Sequence, residues 1–378
     1  MLELDCLKSF DPAHDEEFFA ALPPLPAVCL VESRDSAGEP LFIRTQDMRR
    51  RLLRLLGPPD PGSKRLNLRD FAKAVRYRLT ASRFEQNFVY YRLARRLFPE
   101  RYKKMLRLRP PSVLKVNLSS AYPRCFSTRR IPTDSHGEPT GGVYYGPFAS
   151  RKSAEAFAER VLDLFKVRRC RIKIRRDPSF PGCIYSEMKM CLAPCFAGCS
   201  KEEYDREVQS LVAFLETGGA SLEQSLEAER DRASQELDFE KAALLHKKLD
   251  KLDEALRGQP ELPRRVEDLN AAILQRGGEE QSVAVYPVRC GRIADPFLLS
   301  FQALAGEPRS AEQLLREQLE GPAESLSDDL PEHLWLLARW FYSNPRQGEV
   351  FFRKNAWPYR KMMRACARLL AAPGAGPA

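Results

Sequence analysis

Cys170–Cys199 reads CRIKIRRDPSFPGCIYSEMKMCLAPCFAGC, so half of the ten cysteines in this 378-residue chain fall within thirty residues. Cys170, Cys183, Cys191 and Cys195 are separated by twelve, seven and three residues, and Cys199 follows four positions later. The other five, Cys6, Cys29, Cys125, Cys290 and Cys366, are scattered. In a reducing compartment such a cluster points to metal before disulfides. Four thiolates can close a tetrahedral zinc site or hold an iron–sulfur cluster, and spacing alone does not separate the two. The plain alternative is a loop of small buried residues without metal. Arg168, Arg169, Arg171, Lys173, Arg175, Arg176 and Lys189 surround the thiols. Cations there are expected to lower thiol pKa values and to offset thiolate charge.

On either side of the loop the pattern is helical. Phe157, Val161, Leu164 and Phe165 give Ser153–Phe165 one apolar side. Ser200 with Glu203 forms a capping box for a helix over 201–216. Gly218-Gly219 breaks it, and 222–257 is almost pure helix former, with Leu245, Leu249, Leu252 and Leu256 on one stripe. Towards the N-terminus, short apolar runs predict strands at Ala27–Glu32, Pro40–Ile43, Val113–Val116, Ala121–Phe126 and Gly141–Phe148. Helices are expected at Asp47–Leu56 and Phe84–Leu97, and Leu68–Leu79 reads as mixed strand and helix. Beyond the Pro-rich 258–265, strands at Ser282–Val288 and Phe297–Phe301 precede helices at 310–319, 331–342 and 356–370.

The chain is 43% hydrophobic and 30% charged, ordinary for a globular protein, and carries a net charge of +10. No run of eighteen apolar residues predicts a membrane span, and the acidic start MLELDCLKSFDPAHDEE lacks the apolar core of a signal peptide, so the expected location is cytoplasmic. The charge is uneven. From Arg44 to Arg109 there are 20 Lys plus Arg against 5 Asp plus Glu. A field of that sign attracts polyanions, and Tyr77, Phe84, Phe88, Tyr90 and Tyr91 interleave it. Nucleic acid is the expected ligand; a solvated basic surface over an aromatic core is the alternative.

Four motifs carry a resemblance in order and spacing: Val143-Tyr144-Tyr145-Gly146-Pro147-Phe148, Pro181-Gly182-Cys183-Ile184-Tyr185, Lys189-Met190-Cys191-Leu192-Ala193-Pro194-Cys195, and Ser200-Lys201-Glu202-Glu203-Tyr204. With them the chain resembles the N-terminal half of the UvrC excinuclease family over about residues 20–257. The resemblance implies a [4Fe–4S] cluster on Cys170, Cys183, Cys191 and Cys195, with Cys199 spare and zinc the alternative. Leu237-Asp238-Phe239-Glu240-Lys241-Ala242-Ala243-Leu244-Leu245 resembles the UVR motif, half of a helical hairpin that pairs with the helicase UvrB. Phe239, Ala242, Ala243, Leu245 and Leu249 are its candidate contacts, although His246 and Lys247 stand where Arg and Asp are common.

The family's first domain is a GIY-YIG nuclease, and here its motif is degraded. Cys29 stands for the first tyrosine, Phe42 for the second and Arg44 for a glycine, while Arg49 matches the arginine. Tyr90 falls where the metal-binding glutamate belongs, and Tyr102 where an asparagine is usual. Phe42 has no hydroxyl with which to polarise water, and a phenol of pKa near 10 is a poor ligand for a hard divalent ion. Glu85, five residues earlier on the same helix, faces away from Tyr90.

The resemblance therefore implies an α+β protein: an N-terminal extension (1–25), a degenerate GIY-YIG-like α/β domain (26–110), a Cys-rich region (111–217), a UVR-like hairpin (218–258), a linker (259–265), a small α+β C-terminal domain (266–370) and a disordered tail (371–378). The implied function is that of a nuclease-inactive excision-repair pseudoenzyme. It binds DNA through Arg44, Arg49, Arg50 and Arg51, and a UvrB-like helicase through the hairpin. A short active endonuclease and a structural zinc protein are the alternatives. His333 is read as a packed or surface histidine and not a catalyst.

Overall fold

Along Ala72–Leu79, residues 72, 74, 75 and 77 are buried while Lys73 and Arg76 are exposed, which makes this segment a strand and not the expected mixture. It is the centre of the first of three antiparallel sheets in a computed structural model that describes residues 3–59, 62, 65–258, 261–303, 309–321 and 329–371. The tail read as disordered lies outside the described residues apart from Ala371. With twelve helices among the described residues, the fold is α+β.

The first body contains β1 (Cys6–Ser9), α1 (Asp15–Ala20), β2 (Ala27–Ser33), β3 (Leu41–Thr45), α2 (Met48–Leu56), β4 (Ala72–Leu79), α3 (Arg83–Leu97) and α4 (Tyr102–Leu106). Its sheet order is β1-β4-β2-β3, so the segment read as an N-terminal extension supplies an edge strand. Phe10, Phe18 and Phe19 pack with Leu22, Leu52 and Tyr77 on one face. Asp47 caps α2 and Ser82 caps α3 through their side-chain oxygens.

The second body contains β5 (Ser112–Val116), β6 (Cys125–Thr128), β7 (Val143–Phe148), α5 (Arg151–Leu162), α6 (Ile184–Glu187), α7 (Lys201–Thr217), α8 (Ala220–Gln235), α9 (Phe239–Leu256) and β8 (Arg264–Arg265), with sheet order β6-β5-β7-β8. Ala121–Phe126 is strand only from Cys125, because Pro123 has no amide to give a ladder. The expected capping box is present: the Glu203 amide donates to Ser200 Oγ at 3.0 Å, and the Ser200 amide to Glu203 Oε2 at 2.7 Å. Gly218, at φ 63°, ends α7 in the left-handed region. Leu237, at φ 57°, turns the chain between α8 and α9, and Asp238 caps α9.

The third body contains β9 (Ala271–Arg276), β10 (Ser282–Arg289), β11 (Arg292–Ile293), β12 (Phe297–Ser300), α10 (Ala311–Glu320), α11 (Leu330–Phe341), β13 (Glu349–Phe352) and α12 (Tyr359–Ala371). One hydrophobic core unites all three bodies. Phe84, Phe88 and Tyr91 of α3 meet Tyr144 of β7, Tyr286 of β10 and Trp340 of α11. Tyr91 and Tyr102 each donate to Glu332 of α11 at 2.8 Å, which satisfies a buried carboxylate.

His333, 3% exposed, accepts the Ile293 amide on Nδ1 at 2.8 Å, and its Nε2 stands 3.4 Å from Asp329. It is a packed histidine, not a surface one. Burial pushes its pKa down to about 4, against the pull of the Asp329 carboxylate. The unfolded chain therefore takes up this proton near pH 6.5 while the folded one resists it to about pH 4. Stability is full above pH 6.5 and falls as the pH drops, by about 3 kcal/mol for this group across the window. Urea denaturation at pH 7.5 and pH 5 should show the loss, and His333→Gln should flatten that limb.

Candidate functional site

The chain from Lys166 to Ser200 contains only one turn of α-helix, α6, and a short 3-10 turn at Pro194–Phe196. Its shape comes from local hydrogen bonds and left-handed residues. Lys189, Ala193 and Ala197 have φ of 56°, 54° and 62°. The Leu192 amide donates to Lys166 O at 3.0 Å, and the Asp177 amide to Cys195 O at 2.9 Å. These turns bring Cys170, Cys183, Cys191 and Cys195 to the wall of one cavity of about 200 Å³, closed by Ile172, Ile174, Phe180, Ile184, Tyr185 and Pro194. All four are free thiols. Cys199 is buried in the neighbouring hydrophobic core, outside that wall.

Burial pushes the Cys191 thiol up to about 11, and the other three thiols add to the shift. Burial also raises Cys195. The lowering expected from the surrounding cations is therefore overridden at these two positions, because an apolar wall disfavours a bare thiolate. Arg168 is spent elsewhere. Its buried guanidinium donates to the carbonyls of Tyr122 at 2.8 Å, Ile172 at 3.0 Å and Cys170 at 3.2 Å, and reaches Cys170 Sγ at 3.7 Å. The Arg168 amide donates to the Tyr204 hydroxyl at 3.1 Å, which donates to Pro123 O at 2.7 Å. Arg168 thus ties the cysteine loop to the second sheet. In the sequence it is one cation among seven, and only its place directly before Arg169-Cys170 distinguishes it.

In the first body, Phe42 and Tyr90 are stacked, with ring centroids 4.6 Å apart and planes 4° apart. The Tyr90 hydroxyl donates to Phe42 O at 3.4 Å, and burial raises its pKa further. Arg44 lies 5.1 Å over the Tyr90 ring and donates to Asn87. Burial, and then the Arg339 charge, lowers its pKa. Cys29 is buried in a different core, its thiol pushed up to about 12. Glu85 accepts the Ala81 amide at 2.7 Å and lines a separate cavity with Arg78 and Tyr286.

Arg49 does not reach the Phe42–Tyr90 pair. It donates to Leu22 O at 2.6 Å and to Ala20 O at 3.0 Å, holding the end of α1. Arg50 is exposed and Arg51 half-buried on α2. Arg49→Ala should lower unfolding stability by about 1–2 kcal/mol, measured by chemical denaturation. It should leave any salt-sensitive affinity for DNA near that of the parent.

The hairpin divides its residues. Leu245 is buried against the second body, with Leu249 and Ala242 partly covered there. Phe239, at 68% exposure, and Ala243 face outward, joined by Leu237 and Leu244. No helix among the described residues is long and apolar enough to cross a membrane. No group of three or more His, Cys, Asp or Glu side chains among them is arranged to hold a metal ion.

Residues 112–214, the cysteine loop with its flanking sheet and helices, match the family model of the UvrC/Cho excinuclease middle domain. Over those residues the chain is similar to the UvrC/Cho excinuclease middle domain. The curated relatives are named UvrABC system protein C. That of Moorella thermoacetica is 30% identical over 248 residues, covering 64% of this chain and 39% of its own. That of Desulforudis audaxviator is 32% identical over 245 residues, covering 63% and 38%. That of Ruminiclostridium cellulolyticum is 28% identical over 197 residues, covering 52% and 31%. These matches bear out the resemblance to UvrC, and the matched region spans under two fifths of each of these three relatives. No solved structure matches the chain.

Proposed function

We propose that this protein is a UvrC-like component of DNA repair, related to nucleotide excision repair, that binds DNA without cutting it. In this reading Cys170, Cys183, Cys191 and Cys195 hold a [4Fe–4S] cluster, and the exposed end of the α8–α9 hairpin docks a UvrB-like helicase. The observation that carries the reading is the convergence of four free thiols on one cavity inside the segment that matches the UvrC/Cho middle domain.

The donor set fits such a group. Four sulfurs around one zinc ion at about 2.3 Å would stand roughly 3.8 Å from one another. Here the four thiols line one cavity of about 200 Å³, a soft donor set that suits zinc and an iron–sulfur cluster alike, and the choice of [4Fe–4S] rests on the resemblance to UvrC. When bound, the cluster would cross-link a loop with little core of its own. Arg168 would hold the Cys170 end of the loop in position and balance thiolate charge.

The first body supports catalytic silence in this reading. By the resemblance, Phe42 and Tyr90 stand where a tyrosine and a metal-binding glutamate are usual, and their two rings are stacked together. Glu85 is engaged at the N-terminus of α3, and Arg49 is engaged at α1. What remains is a basic surface with Arg44, Arg50 and Arg51. A nicking assay on supercoiled plasmid with magnesium or manganese, run beside a gel shift over a range of salt, tests this. Salt-sensitive binding without nicking is expected. Metal-dependent nicking would establish the active-endonuclease alternative.

A further inference from the structure

A cavity of about 350 Å³ opens where the loop from α4 into β5, the chain just after β6, the turn from β7 into α5 and one side of α11 approach one another. Arg109, Arg129 and Arg339 line it, with Ser150, Trp335 and Tyr342. They come from three separate stretches of chain, and no carboxylate shares the wall. None of these arginines makes a salt bridge among the described residues. Arg339 instead lies 5.3 Å over the Trp335 ring, and its charge reaches Arg44. The nearest acid along α11, Glu332, is already taken by Tyr91, Tyr102 and Lys103.

Uncompensated guanidinium groups around a concavity repel one another unless an anion enters. Arginine forks match phosphate oxygens in pairs. The start of α5, with Ser150 in the wall, adds the positive end of a twelve-residue helix. Arg339 acts in charge on Arg44, and the stretch from Arg44 to Arg109 has 20 Lys plus Arg against 5 Asp plus Glu. Within it Arg69, Arg76, Arg92, Arg95, Arg96, Arg101 and Lys103 are paired to acids, with exposed cations such as Arg50 and Arg54 beyond them. A polyanion can engage the cavity and exposed cations beyond it together, whereas a single small anion engages only the cavity.

We propose that this cavity seats a backbone phosphate of bound DNA, with Arg109, Arg129 and Arg339 as its ligands. The proposal rests on the DNA-binding reading above and assigns it a place that the motif comparison does not.

The test uses the full chain and a fluorescein-labelled DNA duplex, with anisotropy titrations across a range of potassium chloride. The triple variant R109Q/R129Q/R339Q should bind at least about tenfold more weakly, with the salt slope reduced by about 2–3. The exposed single variants Arg109→Gln and Arg129→Gln, which do not endanger folding, should each lower the slope by about 1. Replacing all three by Lys should restore most of the slope.

Wild-type slope and affinity in the triple variant, with a loss in R50Q/R51Q, would overturn the site and leave the DNA reading standing. No salt-sensitive affinity of the wild type for the duplex would overturn both. A loss confined to an RNA duplex of the same sequence, or to inorganic phosphate, would overturn the assignment to DNA.

Discussion

Replacing any one of Cys170, Cys183, Cys191 and Cys195 by Ser should strip the protein of its iron and unfold the loop around it, while Cys199→Ser keeps full iron. The four residues share a cavity wall, and Cys199 packs instead with the core of the second body. The loop has little else to hold it. Its one α-helical turn spans Ile184–Glu187, and Ile172, Phe180, Ile184 and Met188 are exposed hydrophobics on it. Metal binding supplies folding free energy in such segments, on the order of 10 kcal/mol for structural sites. Iron should fall from about four per chain to well below one in each single variant. Limited proteolysis should then cut within 171–190, and the parent loaded with iron should resist. Equal iron loss in Cys199→Ser would mean that the ligand set is misassigned.

Leu245→Asp should destabilise the protein by about 3–5 kcal/mol, and Phe239→Asp by less than about 0.5 kcal/mol. Both sit on α9, six residues apart and so on different faces, and Leu245 is 3% exposed in the core of the second body while Phe239 is 68% exposed. A carboxylate at 245 has no partner among Phe214, Leu226 and Leu252. Phe239→Asp instead removes apolar area from the outward end of the hairpin that Leu237 and Leu244 extend. Urea denaturation separates the two effects. Calorimetric titration with a purified UvrB-type helicase should then show loss of binding in Phe239→Asp with its fold intact. Undiminished binding would move the docking surface elsewhere.

The α+β class and the order of most helices were legible because their ends are chemically marked. Ser200 with Glu203 caps α7 where the sequence places it, and Leu245 and Leu252 share a buried face at helical spacing. Five strands were not legible: Cys6–Ser9, Arg264–Arg265, Ala271–Arg276, Arg292–Ile293 and Glu349–Phe352. Ala271–Arg276 is buried on both faces and so lacks alternation, and Glu349–Phe352 is too short to show any. Leu68–Leu79 looked mixed because tertiary pairing with both β1 and β2, not local propensity, makes its second half a strand.

At the site, cysteine spacing named the residues that line the cavity, because the ligand pattern is local in sequence. Spacing could not reveal that Leu245 and Leu249 turn inward, since a stripe shows an apolar face without showing what covers it. Nor could it reveal that Arg49 is committed to the Ala20 and Leu22 carbonyls. The cavity of Arg109, Arg129 and Arg339 joins residues over two hundred positions apart and leaves no local signature.

Metal analysis of the chain purified without oxygen is the decisive measurement. If sulfur ligands from four turns of one loop embrace an inorganic cage, the protein comes off the column brown, absorbs at about 400 nm and contains roughly four irons with matching acid-labile sulfide. Colourless protein holding one zinc, or no metal at all, would contradict it.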